Sequence, residues 1–211
     1  SEVIEARVDG VEAQLEEIQA GAFSSTTTMS GKAAFAVGYT DDDLQTNADQ
    51  ITFNYMYQLN MNSSFTGEDL LYTRIKTGNF TKEKTDGVGR FSNKGNGDYL
   101  AASNQNGDTL KVDKIWYQFP VGDSLTVWVG PKIENYYMLA SAPSIYKPVT
   151  KQFALGGNAS TYGSSTSPGF GAAYTQQVDD PSEGRFAVSV NYTGKGADDP
   201  KSGILDDDAK E

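Results

Sequence analysis

Basic residues on segments of alternating polar and apolar character are the side chains of this sequence best placed to do chemistry. They are Lys32, Arg74, Lys76, Lys132 and Arg185. Alternate side chains of a strand point to opposite faces, so we expect all five on one polar face. Rings of lysine and arginine in a pore favour anions. The same residues could instead solvate a wide channel without selecting between ions.

Most residue types used in catalysis are missing. The sequence has no cysteine and no histidine, which removes disulfides, thiol nucleophiles, histidine acid–base catalysis and the usual zinc sites. The acidic run at 40–43, TDDD, could hold calcium, but it lacks the EF-hand spacing, and a solvated loop is the simpler interpretation. No two carboxylates have the spacing on a strand face that a glycosidase needs. We predict no catalytic residue, no cofactor and no metal site.

Strands are the elements that would position the basic residues, and the most regular one is 50–62, QITFNYMYQLNMN. Its odd positions are all apolar, and its even positions are polar and uncharged except Met56. A tilted strand that spans a bilayer needs about 9–11 residues, whereas globular strands usually have about 5–6. We interpret the segment as a membrane strand, with a strand of a soluble sheet as the alternative.

Six further segments alternate in the same way, which predicts seven strands. The connectors after the second, fourth and sixth strands are short and the others are longer, as in outer-membrane barrels. Because such barrels have even strand numbers and open edges are costly in lipid, we expect part of a larger barrel. The predicted fold is an all-β, antiparallel up-and-down transmembrane β-barrel, with 23–211 as its N-terminal part.

The sequence leaves the register of the fourth strand open. Either Ile115, Tyr117 and Phe119 or Val112, Lys114 and Trp116 face outward. The acidic residues fall in the predicted loops rather than on strand faces, mainly at 41–43, 198–199 and 206–208.

The first 22 residues follow a helical period instead. Apolar residues recur at spacings of four and three residues, at Ile4, Val8, Val11, Leu15 and Ile18. This is the a/d seam of a short coiled coil, and Gly21 is a typical helix stop. We expect residues 1–22 to form an N-terminal coiled-coil helix, or else a single amphipathic helix packed on its own chain.

Composition excludes some classes of function. The net charge is −11, which disfavours nucleic-acid binding, since that needs a clustered basic surface. Only 37% of the residues are hydrophobic, and mean hydropathy is −0.50, as expected when only one face of each strand is apolar. No run of about 18 apolar residues could form a transmembrane helix.

Three segments resemble the cyanobacterial outer-membrane porins related to the carbohydrate-selective porin family OprB, often described as iron uptake porins. They read VIEARVDGVEAQLEEIQAGAFSSTTTMSGKAAF, FNYMYQLNMNSSFTGEDLLYTRIKTGNF and IWYQFPVGDSLTVWVGPKI. The last is the most specific, because it joins a turn and two strand ends in one unusual string.

The resemblance implies an outer-membrane channel for passive diffusion of small hydrophilic solutes or ions, with carbohydrate, inorganic ions or iron as cargo. It also implies contact with outer-membrane lipid and a homotrimer. Peptidoglycan would be bound only through an upstream domain of the S-layer homology type, which this sequence lacks. The rival hypothesis is a β-rich cell-surface structural or adhesive module anchored by the coiled coil.

A long segment without strand periodicity, 134–167, gives candidates for a constriction. In general porins of this architecture, the third long loop folds into the barrel and narrows it. The candidate residues are Tyr136, Tyr137, Tyr146, Lys147 and Lys151. An exposed surface loop is the alternative, but its length favours a function, since structureless loops beyond about 12–15 residues are uncommon.

Overall fold

The computed structural model describes residues 26–39, 51–80, 100, 102, 104, 106–141, 166–180, 182–201 and 203–204. Seven strands form one antiparallel sheet in which the spatial order equals the chain order. They are β1 (Thr27–Gly38), β2 (Thr52–Ser63), β3 (Leu70–Gly78), β4 (Lys111–Val121), β5 (Leu125–Glu134), β6 (Thr166–Thr175) and β7 (Ala187–Thr193). One turn of 3₁₀ helix, η1 (Asn135–Met138), follows β5. The all-β antiparallel prediction is confirmed for these residues; barrel closure stays a prediction, and the helix predicted over 1–22 lies outside the described residues.

The register lines up apolar side chains across the sheet. Phe35 lies opposite Tyr55, Leu59 opposite Ile75 and Val129 opposite Phe170. Because side chains alternate along each strand, the apolar rows of all seven strands share one face, here called the apolar face. Large hydrophobic side chains there are exposed, as at Phe35 (71%) and Val190 (72%).

The sheet pairing decides the register of β4. Ile115 and Tyr117 lie opposite Thr73 and Leu71 on the apolar face, whereas Trp116 lies opposite Tyr72 on the other face, here called the polar face. A β-bulge shifts the register at the start of β4, so that Val112 pairs with Ile75 and returns to the apolar side. Each sequence alternative was thus partly correct, because a bulge exchanges the two faces along one strand.

Two strand boundaries differ from the sequence interpretation. β6 begins at Thr166, inside the segment predicted to be aperiodic, and β7 begins at Ala187, two residues after Arg185. The connectors at one end of the sheet are 64–69, 122–124 and 176–186; those at the other end are 39–51, 79–110 and 135–165. We call these the short-turn end and the long-loop end.

The buried apolar cluster of the sheet lies on the polar face, where η1 packs. Trp116, Trp128, Ile133, Met138 and Ala173 form one buried apolar cluster. Within the described ranges, no helix has the length and apolar character needed to cross a membrane.

Candidate functional site on the polar face

A glycine of the sheet leaves space for η1 on the polar face. Met138 of η1 is fully buried and lies over Gly171 of β6. A Cβ atom added at Gly171 would come within 2.9 Å of Met138 Sδ and 2.9 Å of Asn191 Cβ, closer than such atoms can approach. The absence of a side chain at Gly171 therefore lets the segment after β5 turn inward over the sheet.

Tyr137 of η1 joins an aromatic cluster on the same face. Its ring centroid lies 5.6 Å from that of Trp116, 6.3 Å from Tyr72 and 4.9 Å from Tyr136, separations typical of packed aromatic pairs. Burial raises the pKa of the Tyr137 hydroxyl well above its usual value, and the nearby Arg74 only partly opposes this effect. Tyr137 therefore remains neutral at physiological pH.

Lys114 ties η1 to the sheet. Its side chain is 1% exposed and forms an ion pair with Glu134, the last residue of β5. The Lys114 Nζ atom also donates to Thr166 Oγ1 at 3.4 Å and lies 5.7 Å from the centroid of the Tyr137 ring. Glu134 and Thr166 flank the segment 135–165. Lys114 therefore contacts both ends of that segment.

A second ion pair lies beside the first. Arg74 of β3 pairs with Asp113 of β4, which is the extra residue at the β-bulge. The expectation that acidic residues avoid the strand faces is therefore wrong for Asp113 and Glu134. The bulge turns Asp113 toward the polar face, and a single-residue insertion of this kind leaves no clear trace in a periodicity pattern.

The predicted basic residues divide into two groups. Lys32 and Lys76 both lie opposite Gln58, on its two sides, and Arg74 lies opposite Asn60, so these three cations share the polar face. The other two are elsewhere: Lys132 lies opposite Ile115, on the apolar side, and Arg185 is exposed in the connector before β7.

Of the predicted constriction residues, the structure places Tyr136 and Tyr137 on the polar face, within η1. Tyr146, Lys147 and Lys151 lie outside the described residues. In the part of the chain that is described, no three acidic, histidine or cysteine side chains are grouped to hold a metal ion.

The polar face contains residues that sequence reasoning did not select. Lys114, Asp113 and Glu134 are the principal ones, and their roles depend on contacts across strands. One sequence signal was available: Lys114 alternates with Trp116 and Gln118, which would have placed it on the polar face once the register of β4 was known.

The family model described as "Carbohydrate-selective porin, OprB family" matches residues 4–203 of this chain. The chain is 32% identical over 121 residues to "Uncharacterized protein alr4550" of Nostoc sp., covering 55% of this chain and 21% of that protein. It is 29% identical over 156 residues to "Uncharacterized protein sll0772" of Synechocystis sp., covering 71% of this chain and 27% of that protein. The chain thus spans about a quarter of the length of these curated relatives, and no solved structure matches it significantly. With nearly its whole length matched, the chain belongs to the carbohydrate-selective porin OprB family.

Proposed function

We propose that this chain forms part of the wall of an outer-membrane channel through which small hydrophilic solutes diffuse passively. The observation that carries the proposal is the division of one sheet into two faces. The apolar face exposes large hydrophobic side chains on both edge strands and in between, while the polar face holds two ion pairs. A transmembrane barrel requires this arrangement, with lipid outside and water inside.

Aromatic pairs near both ends of the apolar face support the proposal that this face contacts lipid. Near the long-loop end, the rings of Phe35 and Phe53 stack at 6.3 Å. Near the short-turn end, Tyr117 contacts Phe119 at 5.7 Å, and Tyr174 contacts the Phe186 ring at 5.9 Å. Outer-membrane barrels carry such aromatic residues at both interfaces of their apolar band.

The segment after β5 is proposed to narrow the channel. Tyr136 and Tyr137 lie on the polar face. The ion pair of Lys114 with Glu134 and the packing of Met138 against Gly171 hold them there. A rigid, neutral aromatic group at this position reduces the open cross-section without adding charge. Lys32, Arg74 and Lys76 supply the cationic part of the wall.

Carbohydrate is the proposed cargo, in keeping with the name of the family, and inorganic ions, including iron, are the alternative cargo. Homotrimeric assembly is part of the proposal and follows from the resemblance to general porins. A cell-surface adhesive module is not favoured, because a contiguous exposed apolar face of this extent is an aggregation hazard in water.

Conductance in planar lipid bilayers tests the proposal. We expect the full-length protein to form stable open channels, and liposomes containing it to admit monosaccharides faster than larger oligosaccharides. Replacing Tyr137→Ala should raise the single-channel conductance by enlarging the narrow region. The matched control is Tyr174→Ala on the apolar face, which should leave conductance unchanged. Absence of channels in lipid, together with solubility in the absence of detergent, would overturn the proposal.

A further inference from the structure

Lys132 is the single charged residue on the apolar face of the seven strands. It lies opposite Ile115, in the apolar row of β4. A cation on the lipid face of a barrel is costly at the midplane of a bilayer and nearly tolerated at its interfaces. The remaining charged strand residues belong to the polar face by their register or their ion pairs: Lys32, Arg74, Lys76, Lys111, Asp113, Lys114 and Glu134.

A β-bulge in β5 turns Lys132 to the apolar face. Gly130 and Ile133 lie on the polar face, opposite Gly169 and Ser167 of β6. Two residues of β5 therefore lie between these pairs, where β6 has only one. Uninterrupted alternation from Gly130 would place Lys132 on the polar face. Bulges re-aim side chains in this way, so the backbone of β5 itself directs this cation outward.

The position of Lys132 along β5 is close to one boundary of the apolar face. It is two residues from Glu134, which ends β5 at the long-loop end, or about 7 Å at the usual rise per residue. A long basic side chain at this depth keeps its stem in apolar surroundings and its charge in the polar layer. The ammonium group of Lys132 therefore lies at the level expected for the headgroups of the leaflet at the long-loop end.

The ammonium group of Lys132 is oriented but not neutralised. Lys132 is exposed, and its Nζ atom donates to the Val112 carbonyl oxygen at 3.2 Å. A lysine ammonium has three donors, and a carbonyl group has no net charge to offset its own. Asp113, in the neighbouring strand, pairs with Arg74 on the polar face. Neither ion pair among the described residues includes Lys132.

Exposed apolar side chains continue from Lys132 toward the middle of the sheet. Val129 lies three residues earlier on β5, and Phe170 lies opposite it on β6. Both are exposed, as is Val112 beside the ammonium group. A membrane lipid has the same order, with a charged headgroup at the interface and acyl chains toward the midplane. A cation above an exposed apolar surface thus complements an anionic lipid better than a free ion.

We propose that Lys132 binds the phosphate group of a membrane lipid in the leaflet at the long-loop end, with the acyl chains of that lipid along Val129 and Phe170. The inference rests on the proposed function, since it requires that the apolar face contacts lipid, and it adds a specific headgroup chemistry. Charge-assisted hydrogen bonds from an ammonium group to phosphate oxygens are strong.

Native mass spectrometry of the full-length protein in non-ionic detergent, titrated with phosphatidic acid, tests the site. We expect saturable binding by the wild type, and binding at least about tenfold weaker for diacylglycerol with the same acyl chains, which lacks the phosphate. Lys132→Gln should weaken the binding of phosphatidic acid at least about tenfold, equivalent to about 1.4 kcal/mol. Lys132→Arg should retain it. Equal binding by the wild type and Lys132→Gln would overturn the site.

The matched control is Lys32→Gln, which removes the same charge from the polar face, where Lys32 is also exposed. It should bind phosphatidic acid like the wild type. An equal loss in both variants would show that only net charge matters and would overturn the site. Inorganic phosphate is the competitor: displacement of the lipid by millimolar phosphate would indicate a site for a free anion and would also overturn the proposal.

A purely structural role of Lys132 has a different signature. Gln keeps an N–H donor for the Val112 carbonyl, whereas Met does not. If Lys132 only holds the bulge, Lys132→Met lowers the free energy of unfolding while Lys132→Gln binds lipid like the wild type, which overturns the site.

Channel recordings in planar bilayers separate this inference from the proposed function. If lipid binding depends on Lys132 but no channels form, the lipid site stands and the proposed function fails. If channels form and phosphatidic acid binding is independent of Lys132, the lipid site fails and the proposed function stands.

Discussion

Lys114 and Glu134 form an ion pair across neighbouring strands of the polar face, with the lysine almost completely buried and the carboxylate side chain 16% exposed. This pair joins β4 to the residue directly before η1. The ion pair therefore couples the position of Tyr136 and Tyr137 over the sheet to the pairing of β4 with β5.

Loss of Lys114 should be strongly destabilising. Lys114→Met keeps the aliphatic stem but leaves Glu134 without its cation, and removing one partner of a buried pair costs about 3–5 kcal/mol. We expect a lower free energy of unfolding, measured by denaturant titration in detergent. The double variant Lys114→Met/Glu134→Gln should recover much of the loss, because no unpaired charge remains. Equal stabilities of the single and double variants would contradict a role for the ion pair.

A side chain at Gly171 should displace η1. In Gly171→Ala the new methyl group would collide with Met138 and Asn191, and overpacking of this kind costs about 1–3 kcal/mol. We also expect a changed single-channel conductance, since Tyr137 moves with Met138. Gly184→Ala is the matched control, because a Cβ there meets nothing within 4 Å, and its stability should change by less than about 0.5 kcal/mol.

Asp69 should make stability depend on pH. Its carboxylate accepts hydrogen bonds from Tyr117 Oη at 2.7 Å, Thr66 N at 2.7 Å and Ser64 Oγ at 2.8 Å. Burial works to raise the pKa of Asp69, but these hydrogen bonds outweigh it and hold the pKa well below its usual value. A depressed folded-state pKa stabilises the fold above the unfolded-state pKa, about 4, and this contribution is lost as pH falls through the folded value.

Asp69→Asn should therefore be less stable than the wild type at neutral pH, and the difference should shrink as pH falls below about 4. Thermal unfolding of both proteins between neutral and strongly acidic pH measures this effect. Glu68→Gln, an exposed carboxylate in the same turn, serves as the control and should follow the wild type. A difference that stays constant with pH would mean that the Asp69 carboxylate does not supply the stabilisation.

The two faces of β7 should respond oppositely to a charge. Val190→Arg places a cation on the apolar face near the middle of the strand, which costs about 2–4 kcal/mol at the midplane of a bilayer. Ser189→Arg places the same charge on the polar face and should be tolerated better. Folding yield into lipid vesicles, read from protease protection, measures both. Equal yields would count against lipid contact at Val190.

The sequence by itself determined the seven strands and the faces of those strands that alternate without interruption. Period-two alternation is a local property of consecutive residues, so the apolar row of β2 and the seven-strand count could be read from the chain and agree with the structure. The alternation of short and long connectors could also be read from the chain, because connector lengths follow from the positions of the strands. Lys32, Arg74 and Lys76 could be placed on one face because β1 and β3 both pair with β2 without a register shift.

Only the tertiary structure decided where alternation breaks and what crosses between strands. The bulge at Asp113 brings a carboxylate beside Arg74, and the shift in β5 between Gly130 and Ile133 places Lys132 on the apolar side. Lys114 acquires its role from Glu134 and Thr166, residues distant from it along the chain. Register shifts and cross-strand contacts depend on which strands pair and in what alignment, and a one-residue slip exchanges the faces of a strand; local patterns contain no record of that choice.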